Sequence, residues 1–441
     1  MSTQKQYDVV VVGASVGGCT AATLYAKRGL KVALLEISKD LAHYKKICTH
    51  YVQPVATDTI RKLGLAELIE AAGGRRNDLE MRLPWGWVRG GDPEALGYGY
   101  NIRRQTLDPI LRDLAINTPG VSFFPGTSVR GVIRADDGRV GGVVAEGDAG
   151  RGEFRAPLVV AADGRSSKTA QLAGVKAHVH DNGRFTYFTY YRGVPLSSGA
   201  TSHYWHLHPN LAYAFRNDDD TTLLGIFVSK GALREFKADP MGNFRRFWEN
   251  VPDPPLIGNA SPISELRGIT EIPNQWRPAA APGIAFVGDA AMVLDPIWGT
   301  GCGFAFLSAD WLVEHTAPAF GAGKDMLGAL DRGLESYRKV HRSRTRWHYA
   351  HIASFSKVRD YNIFERLVFS AATRDAKLAT RVLTYLSRAV GPFHLITPAA
   401  LCRAVMVNLG AMLSGRNRPR VRRPREIAFP ATVEIGGVDV G

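Results

Sequence analysis

Gly13-Ala14-Ser15-Val16-Gly17-Gly18 follows an apolar run at residues 7–12, and Glu36 closes a second apolar run at residues 31–35. Glycines in this pattern suit the cradling of phosphate. Gly13 permits a tight exit from a strand, and Gly18 lets the following helix pack close to the sheet. The start of that helix then offers unpaired N–H groups to a pyrophosphate. Glu36, about twenty residues beyond Gly13, is placed to accept hydrogen bonds from ribose hydroxyls. Ser15 stands where the middle glycine of G-x-G-x-x-G is expected, and serine is small enough to let a phosphate approach. The same residues also spell G-x-S-x-G, the nucleophile elbow of an α/β-hydrolase. Position argues against that reading, because an elbow follows earlier strands that carry an oxyanion hole, whereas Ser15 lies on the first strand. Taken alone, the motif also suits a plain glycine turn of any βαβ unit. With Glu36 and the two motifs below, a bound dinucleotide is the expectation.

Two later stretches have the same strand-then-turn texture. Ala162-Asp163-Gly164-Arg165-Ser166-Ser167 ends an apolar run at residues 157–162. Gly288-Asp289-Ala290-Ala291 ends another at residues 284–287, and is followed by Asp295-Pro296 and Gly299-Thr300-Gly301-Cys302-Gly303. The plain reading of Asp163-Gly164 is a turn that ends a strand. His203, His206 and His208 invite a metal reading, but they share a predicted strand with no carboxylate partner, so ordinary sheet histidines and no metal are expected. Cys19, Cys48, Cys302 and Cys402 are scattered without a C-x-x-C pair, which argues against a disulfide framework or a zinc site. Cys48 is expected to be a buried, inert thiol.

The elements that must position these residues alternate between two textures. Helical spacing is expected at residues 56–72 and 104–115, and strands at 121–124, 129–135 and 140–146, with a turn at Asp137-Gly138. Between residues 184 and 268 aromatic and polar residues alternate, as in a mostly antiparallel sheet with one face free to cover something large and apolar. The faces carrying Tyr187, Tyr204, Tyr213 and Phe227 could line a substrate cavity or form sheet core. Beyond Tyr337 the pattern is helical, with breaks at Gly391-Pro392 and Thr397-Pro398. No internal repeats are found.

The chain has 441 residues, enough for a large core, and 45% hydrophobic with 22% charged residues is an ordinary globular composition. No apolar stretch reaches the ~18 residues of a membrane span, and residues 1–5 carry no apolar h-region, so a cytoplasmic location is expected. The net charge of +14 is partly concentrated in Arg416, Arg418, Arg420, Arg422, Arg423 and Arg425. That basic tail could make a peripheral contact with anionic membrane lipid. A solvated, extended tail is the simpler reading, and no nucleic-acid partner is expected. The rest of the surplus suits a protein that binds an anionic dinucleotide.

Taken together, the three glycine and aspartate motifs resemble those of the FAD-dependent aromatic hydroxylases, the flavoprotein monooxygenases of the p-hydroxybenzoate hydroxylase fold, related to flavin-dependent halogenases and geranylgeranyl reductases. The resemblance covers roughly residues 7–315. It implies an α/β fold: a Rossmann-like FAD-binding domain (residues 1–75, 101–180 and 276–330) with an inserted, mostly antiparallel β-sheet substrate domain (76–100 and 181–275). A helical C-terminal region (331–415) and the basic tail (416–441) complete the division. The cofactor would be FAD, held by Gly13, Ser15, Gly17, Gly18, Glu36, Arg104, Asp163, Gly288, Asp289, Pro296, Gly299, Gly301, Cys302 and Gly303. Asp289 would bond a ribityl hydroxyl, and the N–H groups of residues 299–303 would face the N1 and C2=O edge of the flavin ring. NAD(P)H would be a transient reductant, since no second G-x-G-x-x-G is present. The implied activity is hydroxylation or epoxidation of a hydrophobic small molecule by O2, through a flavin C4a-hydroperoxide, in secondary metabolism. Halogenases carry W-x-W-x-I-P and a catalytic lysine, whereas here Trp85-Gly86-Trp87 is followed by Val88-Arg89. Geranylgeranyl reductases carry K-x-C-G, whereas here Lys46-Ile47-Cys48 is followed by Thr49.

Overall fold

The computed structural model describes residues 4–148 and 150–414; the arginine tail lies outside them. At the centre is a six-stranded sheet. Its strand order is Ala280–Ala281, Ile284–Phe286, Leu158–Ala161, Val9–Val12, Val32–Leu35 and Val121–Phe124. All neighbours run parallel except the first pair. The strands Val9–Val12, Val32–Leu35 and Leu158–Ala161 are uninterrupted apolar runs, as strands covered on both faces must be. Val9 and Val11 face a helical layer with Leu158 and Val160, while Val10 and Val12 face the opposite layer with Val159 and Ala161.

The helical layer contains Val16–Ala26, Arg104–Ile116 and Gly301–Thr316. Every residue of Val16–Ala26 is buried, and its small residues let it pack against both the sheet and Gly301–Thr316. The other layer is a four-stranded sheet ordered Gln4–Gln6, Gly150–Arg155, Val140–Gly147 and Ser128–Arg134. The expected helix over residues 56–72 is divided at Gly64, which closes Thr57–Leu63 in the left-handed conformation at φ +76° before Ala66–Ala71 begins.

A seven-stranded sheet stands beside this unit, ordered Arg267–Ile269, Arg184–Arg192, Thr221–Ser229, Asn210–Arg216, Ser202–Leu207, Glu80–Leu83 and Gly86–Val88. Its pairs are antiparallel except Ser202–Leu207 with Glu80–Leu83. One face, with Phe188, Tyr204, Tyr213 and Phe227, packs on Ile297, Trp298 and the helices Ile363–Ala372 and Ala376–Leu386. The other, with Phe185, Tyr191 and Trp205, packs on Leu233–Ala238 and Pro240–Glu249. Tyr187 belongs to this second face, 4.9 Å from the Phe236 ring. The grouping of Tyr187 with Tyr204, Tyr213 and Phe227 is therefore corrected. Tyr187 pairs with Ile226, while Tyr213 pairs with Gly225, so cross-strand register puts them on opposite sides.

The long helix Met326–Ser356 and the last helix Pro398–Leu413 complete the described chain. Among the described residues no helix is long and apolar enough to cross a membrane.

Candidate active site

The three motifs lie at the carboxyl ends of three adjacent parallel strands. Val12 leads into Gly13, Ala161 into Asp163 and Phe286 into Gly288. From Val9–Val12 the chain moves one way to Val32–Leu35, and later returns on the other side through Leu158–Ala161 and Ile284–Phe286. That reversal creates the crevice in which open α/β sheets bind ligands.

The glycine turn is too crowded for side chains. Gly13 has φ +101°, and a Cβ there would sit 2.6 Å from the Ala162 carbonyl oxygen. A Cβ on Gly18 would lie 1.7 Å from the Gly13 carbonyl oxygen. Gly17 is less constrained, its nearest contact being the Val287 side chain at 3.3 Å. Ser15 occupies the N-cap of Val16–Ala26 without capping it, so the first N–H groups of that helix are left to a ligand. The Ala14 N–H donates to Glu36 Oε2 at 2.7 Å, and the Ser38 N–H donates to Oε1 at 2.9 Å. Each carboxylate oxygen keeps a lone pair for a further donor.

Arg104 ties the first motif to the third. Its Nη2 donates to Ser15 Oγ at 2.7 Å, its Nη1 approaches Cys302 Sγ at 3.6 Å, and its Nε and Nη2 hold Asp108 at 2.6 and 3.0 Å. Burial opposes its charge, but the Asp108 carboxylate leads the interactions that outweigh burial and hold it protonated above its ordinary range. Behind it, Asp295 caps the turn Pro296–Trp298 through the Ile297 N–H, and Gly299 follows at φ +59°. Gly301–Thr316 then begins with Thr300 as an N-cap that makes no side-chain cap bond, and Thr300 Oγ1 is buried without a partner among the described residues. A helix start with bare N–H groups and an orphaned hydroxyl suits the electron-rich edge of a flavin ring. The crowded glycine turn, the spare acceptors of Glu36 and this helix start all fit FAD.

Contacts at three residues qualify the sequence-derived roles. Asp289 is engaged by Lys45 Nζ at 2.7 Å, so a ribityl hydroxyl would share or displace that contact. Asp163 accepts from Ser167 Oγ at 2.5 Å and the Thr169 N–H at 2.9 Å, holding its own turn. Gly288 donates its N–H to Ser308 Oγ at 2.9 Å and has φ +56°.

Beside Gly299 opens a small cavity. Tyr204, Tyr213 and Phe227 line it, as do Pro296, Trp298 and Gly299 of the third motif. Tyr213 reaches it by lying across Gly225, where a Cβ would stand 2.1 Å from the ring.

Two residues at this crevice were not singled out in the sequence. His50 accepts the Arg104 N–H at Nδ1 (2.9 Å) and contacts the Tyr190 hydroxyl through Nε2. Burial lowers its pKa, so the imidazole is neutral and carries its proton on Nε2. No local pattern around either residue signals the pair; only the fold joins them. Cys48, expected to be buried and inert, is half-buried with its Sγ 3.9 Å from Cys302 Sγ. The contact with the Cys302 thiol, helped by the Arg104 and Lys45 charges, pulls the Cys48 pKa well down against burial.

The three histidines do not converge, since Ser202–Leu207 alternates faces. His203 contacts Ser198 Oγ at 2.8 Å, while His206 stacks on Trp298 with centroids 5.5 Å apart. The expected lack of carboxylate partners is corrected: Glu80 lies 3.3 Å from His203 and Asp360 lies 3.0 Å from His208, both brought from distant segments. Among the described residues no group of three acidic, histidine or cysteine side chains could hold a metal.

Residues 6–306 match the FAD binding domain family, and the chain belongs to that family. It is thus a flavoenzyme-family protein, built on the fold its relatives share. It is 26% identical over 326 residues to a 1H-pyrrole-2-carbonyl-[peptidyl-carrier protein] brominase of Pseudoalteromonas luteoviolacea, covering 69% of this chain and 76% of that one. It is also 26% identical over 318 residues to a digeranylgeranylglycerophospholipid reductase of Thermoplasma acidophilum, covering 71% and 78%. Among solved structures, the flavin-dependent brominase Bmp2 superposes with TM-score 0.72 at 19% identity, covering 93% of this chain and all of that one. The p-nitrophenol 4-monooxygenase PnpA of Pseudomonas putida superposes with TM-score 0.69 at 18% identity, covering 88% and 99%. At these identities the structures establish a common fold.

Proposed function

We propose that the protein is an FAD-dependent monooxygenase that uses NAD(P)H and O2 to hydroxylate or epoxidise a hydrophobic small molecule. The observation that carries this reading is the aromatic cavity whose wall is continuous with the flavin-side turn, through Pro296, Trp298 and Gly299. In this assignment the six-stranded unit holds FAD, and the seven-stranded sheet with its covering helices holds the substrate. Bound FAD would supply the redox chemistry and the activation of O2. The chain's own work is then to bind, orient and exclude water. Gly13, Gly18 and the helix start at Val16 would take the pyrophosphate, and Glu36 the ribose. Asp289 would take the ribityl chain, and the N-terminus of Gly301–Thr316 would offset negative charge on the reduced ring. Tyr204, Tyr213, Phe227 and Trp298 would hold an apolar substrate against that ring in a dry space.

Turnover of the FAD-loaded protein under isotopically labelled dioxygen, with NADH or NADPH and a panel of aromatic compounds, tests the assignment. A product carrying one labelled oxygen atom supports it. A second reading, halogenation, is favoured by the likeness to the brominase of Pseudoalteromonas luteoviolacea. It predicts a brominated product in bromide buffer and no label incorporation.

A further inference from the structure

Arg388 is buried beside Trp298, a residue of the cavity wall, and makes no ion pair among the described residues. It is 4% exposed, and its Nε and Nη2 have no hydrogen-bond partner among the described residues. Its guanidinium lies 5.4 Å from the Trp298 ring centroid and 5.3 Å from that of Tyr385, and Nη1 approaches His348 Nδ1 at only 3.5 Å. Arg184, equally buried, shows the ordinary solution, donating to the carbonyls of Pro209 and Phe355. Glu365, a carboxylate of the helical region, is already taken by Arg359 and His351. Burial pushes His348 down to about 3 and His351 to about 4, so both are neutral at physiological pH and neither adds a charge beside Arg388.

Other donors around it are orphaned too. Trp298 Nε1 and the hydroxyl of Tyr204 are buried without partners among the described residues, while the Tyr385 hydroxyl faces Arg388. Tyr204 and Trp298 line the cavity, as does Leu386, two residues before Arg388. Arg388 also sits at φ +65°, just past the helix Ala376–Leu386, where glycine is the usual occupant. A buried cation with a set of unfilled neutral donors calls for an anion. The unfilled edge, Nε with Nη2, is the edge by which Arg104 grips Asp108 here, Nε to Oδ1 and Nη2 to Oδ2. A planar two-oxygen acceptor matches that fork, whereas a spherical halide does not.

We propose that Arg388, with Trp298 and the hydroxyls of Tyr204 and Tyr385, forms a carboxylate site at the wall of the aromatic cavity, so that the preferred ligand is a ring-bearing acid. The assignment rests on the cavity being the substrate's, as argued above. Its test is a binding measurement that needs no turnover. FAD-loaded wild type, Arg388→Lys and Arg388→Gln would be titrated calorimetrically with cinnamate and with its neutral amide, and each titration repeated in sodium bromide. Cinnamate is expected to bind wild type at least tenfold more tightly than cinnamamide. Arg388→Gln should abolish that preference, and Arg388→Lys, which keeps the charge but not the fork, should retain only part of it. Bromide should not displace cinnamate. Equal affinity for acid and amide, failure of both to bind, or an unchanged preference in Arg388→Gln would overturn the site. Displacement by bromide would overturn the carboxylate assignment in favour of a halide. If Arg388→Gln fails to fold, the wild-type comparison and Arg388→Lys decide. If cinnamate binds as described but no oxygenated product ever forms, the carboxylate site stands and the monooxygenase reading falls.

Discussion

Replacing Arg104 by leucine should damage stability and flavin binding together. Asp108 is 1% exposed and takes two hydrogen bonds from Arg104, at 2.6 and 3.0 Å. Its one other donor among the described residues is the Lys45 N–H at 3.0 Å. Breaking a buried ion pair by deleting one partner costs about 3–5 kcal/mol; the surviving Lys45 contact places Arg104→Leu near the lower end, about 3 kcal/mol. The same substitution removes the donor to Ser15 Oγ and the link to Cys302, loosening two of the three motifs against each other. FAD should dissociate about tenfold more readily, a difference of ~1.4 kcal/mol. Urea unfolding of wild type, Arg104→Leu, Asp108→Asn and the double variant, without added FAD, measures the first effect. The double variant should lose about 2 kcal/mol less than the sum of the singles, because neither charge is then left alone. Additive losses, or a single-variant loss below about 1 kcal/mol, would refute the argument that this pair braces the site.

Gly18→Ala should be far costlier than Gly17→Ala. The first Cβ meets the Gly13 carbonyl oxygen at 1.7 Å, while the second meets a side-chain methyl at 3.3 Å. The expected losses are about 3 kcal/mol or more against about 1 kcal/mol or less, read from thermal melts and flavin content. Asp289→Ala should leave a protein that folds but purifies with less flavin per chain, since a ribityl hydrogen bond of about 1 kcal/mol is lost; equal yellow colour would count against the assignment. Glu365 supplies a pH prediction. Burial would raise its pKa, but Arg359, His351 and the Asn362 N–H outweigh burial and bring it from 4.5 to about 2. A depressed carboxylate stabilises the fold above its unfolded pKa, and the contribution fades as pH falls toward the folded value. Glu365→Gln should therefore lose about 3 kcal/mol at pH 7. The gap should shrink between about pH 4.5 and pH 2, and a constant gap in urea melts across that range would contradict it.

Much of the FAD frame is legible in the chain because its determinants are local. A strand, a glycine turn and a helix start are adjacent in sequence at Val9–Val12, Gly13 and Val16–Ala26, and the same holds around Asp163 and Asp289. The cavity is less legible, because it depends on register between strands. Tyr187 and Tyr213 read alike as aromatic strand residues, yet pairing with Ile226 in one case and Gly225 in the other sends them to opposite faces. The pairs His50–Tyr190 and Cys48–Cys302 join segments distant in sequence. Arg388 carries no motif at all, and only its burial with Nε and Nη2 unpartnered among the described residues marks it.

Anaerobic stopped-flow mixing of the FAD-loaded protein with NADH and with NADPH tests the central claim most directly. The account predicts that at least one nicotinamide bleaches the flavin absorbance without any partner protein, and that added O2 restores it. Failure of both to reduce a flavin that dithionite readily bleaches would contradict a self-sufficient monooxygenase.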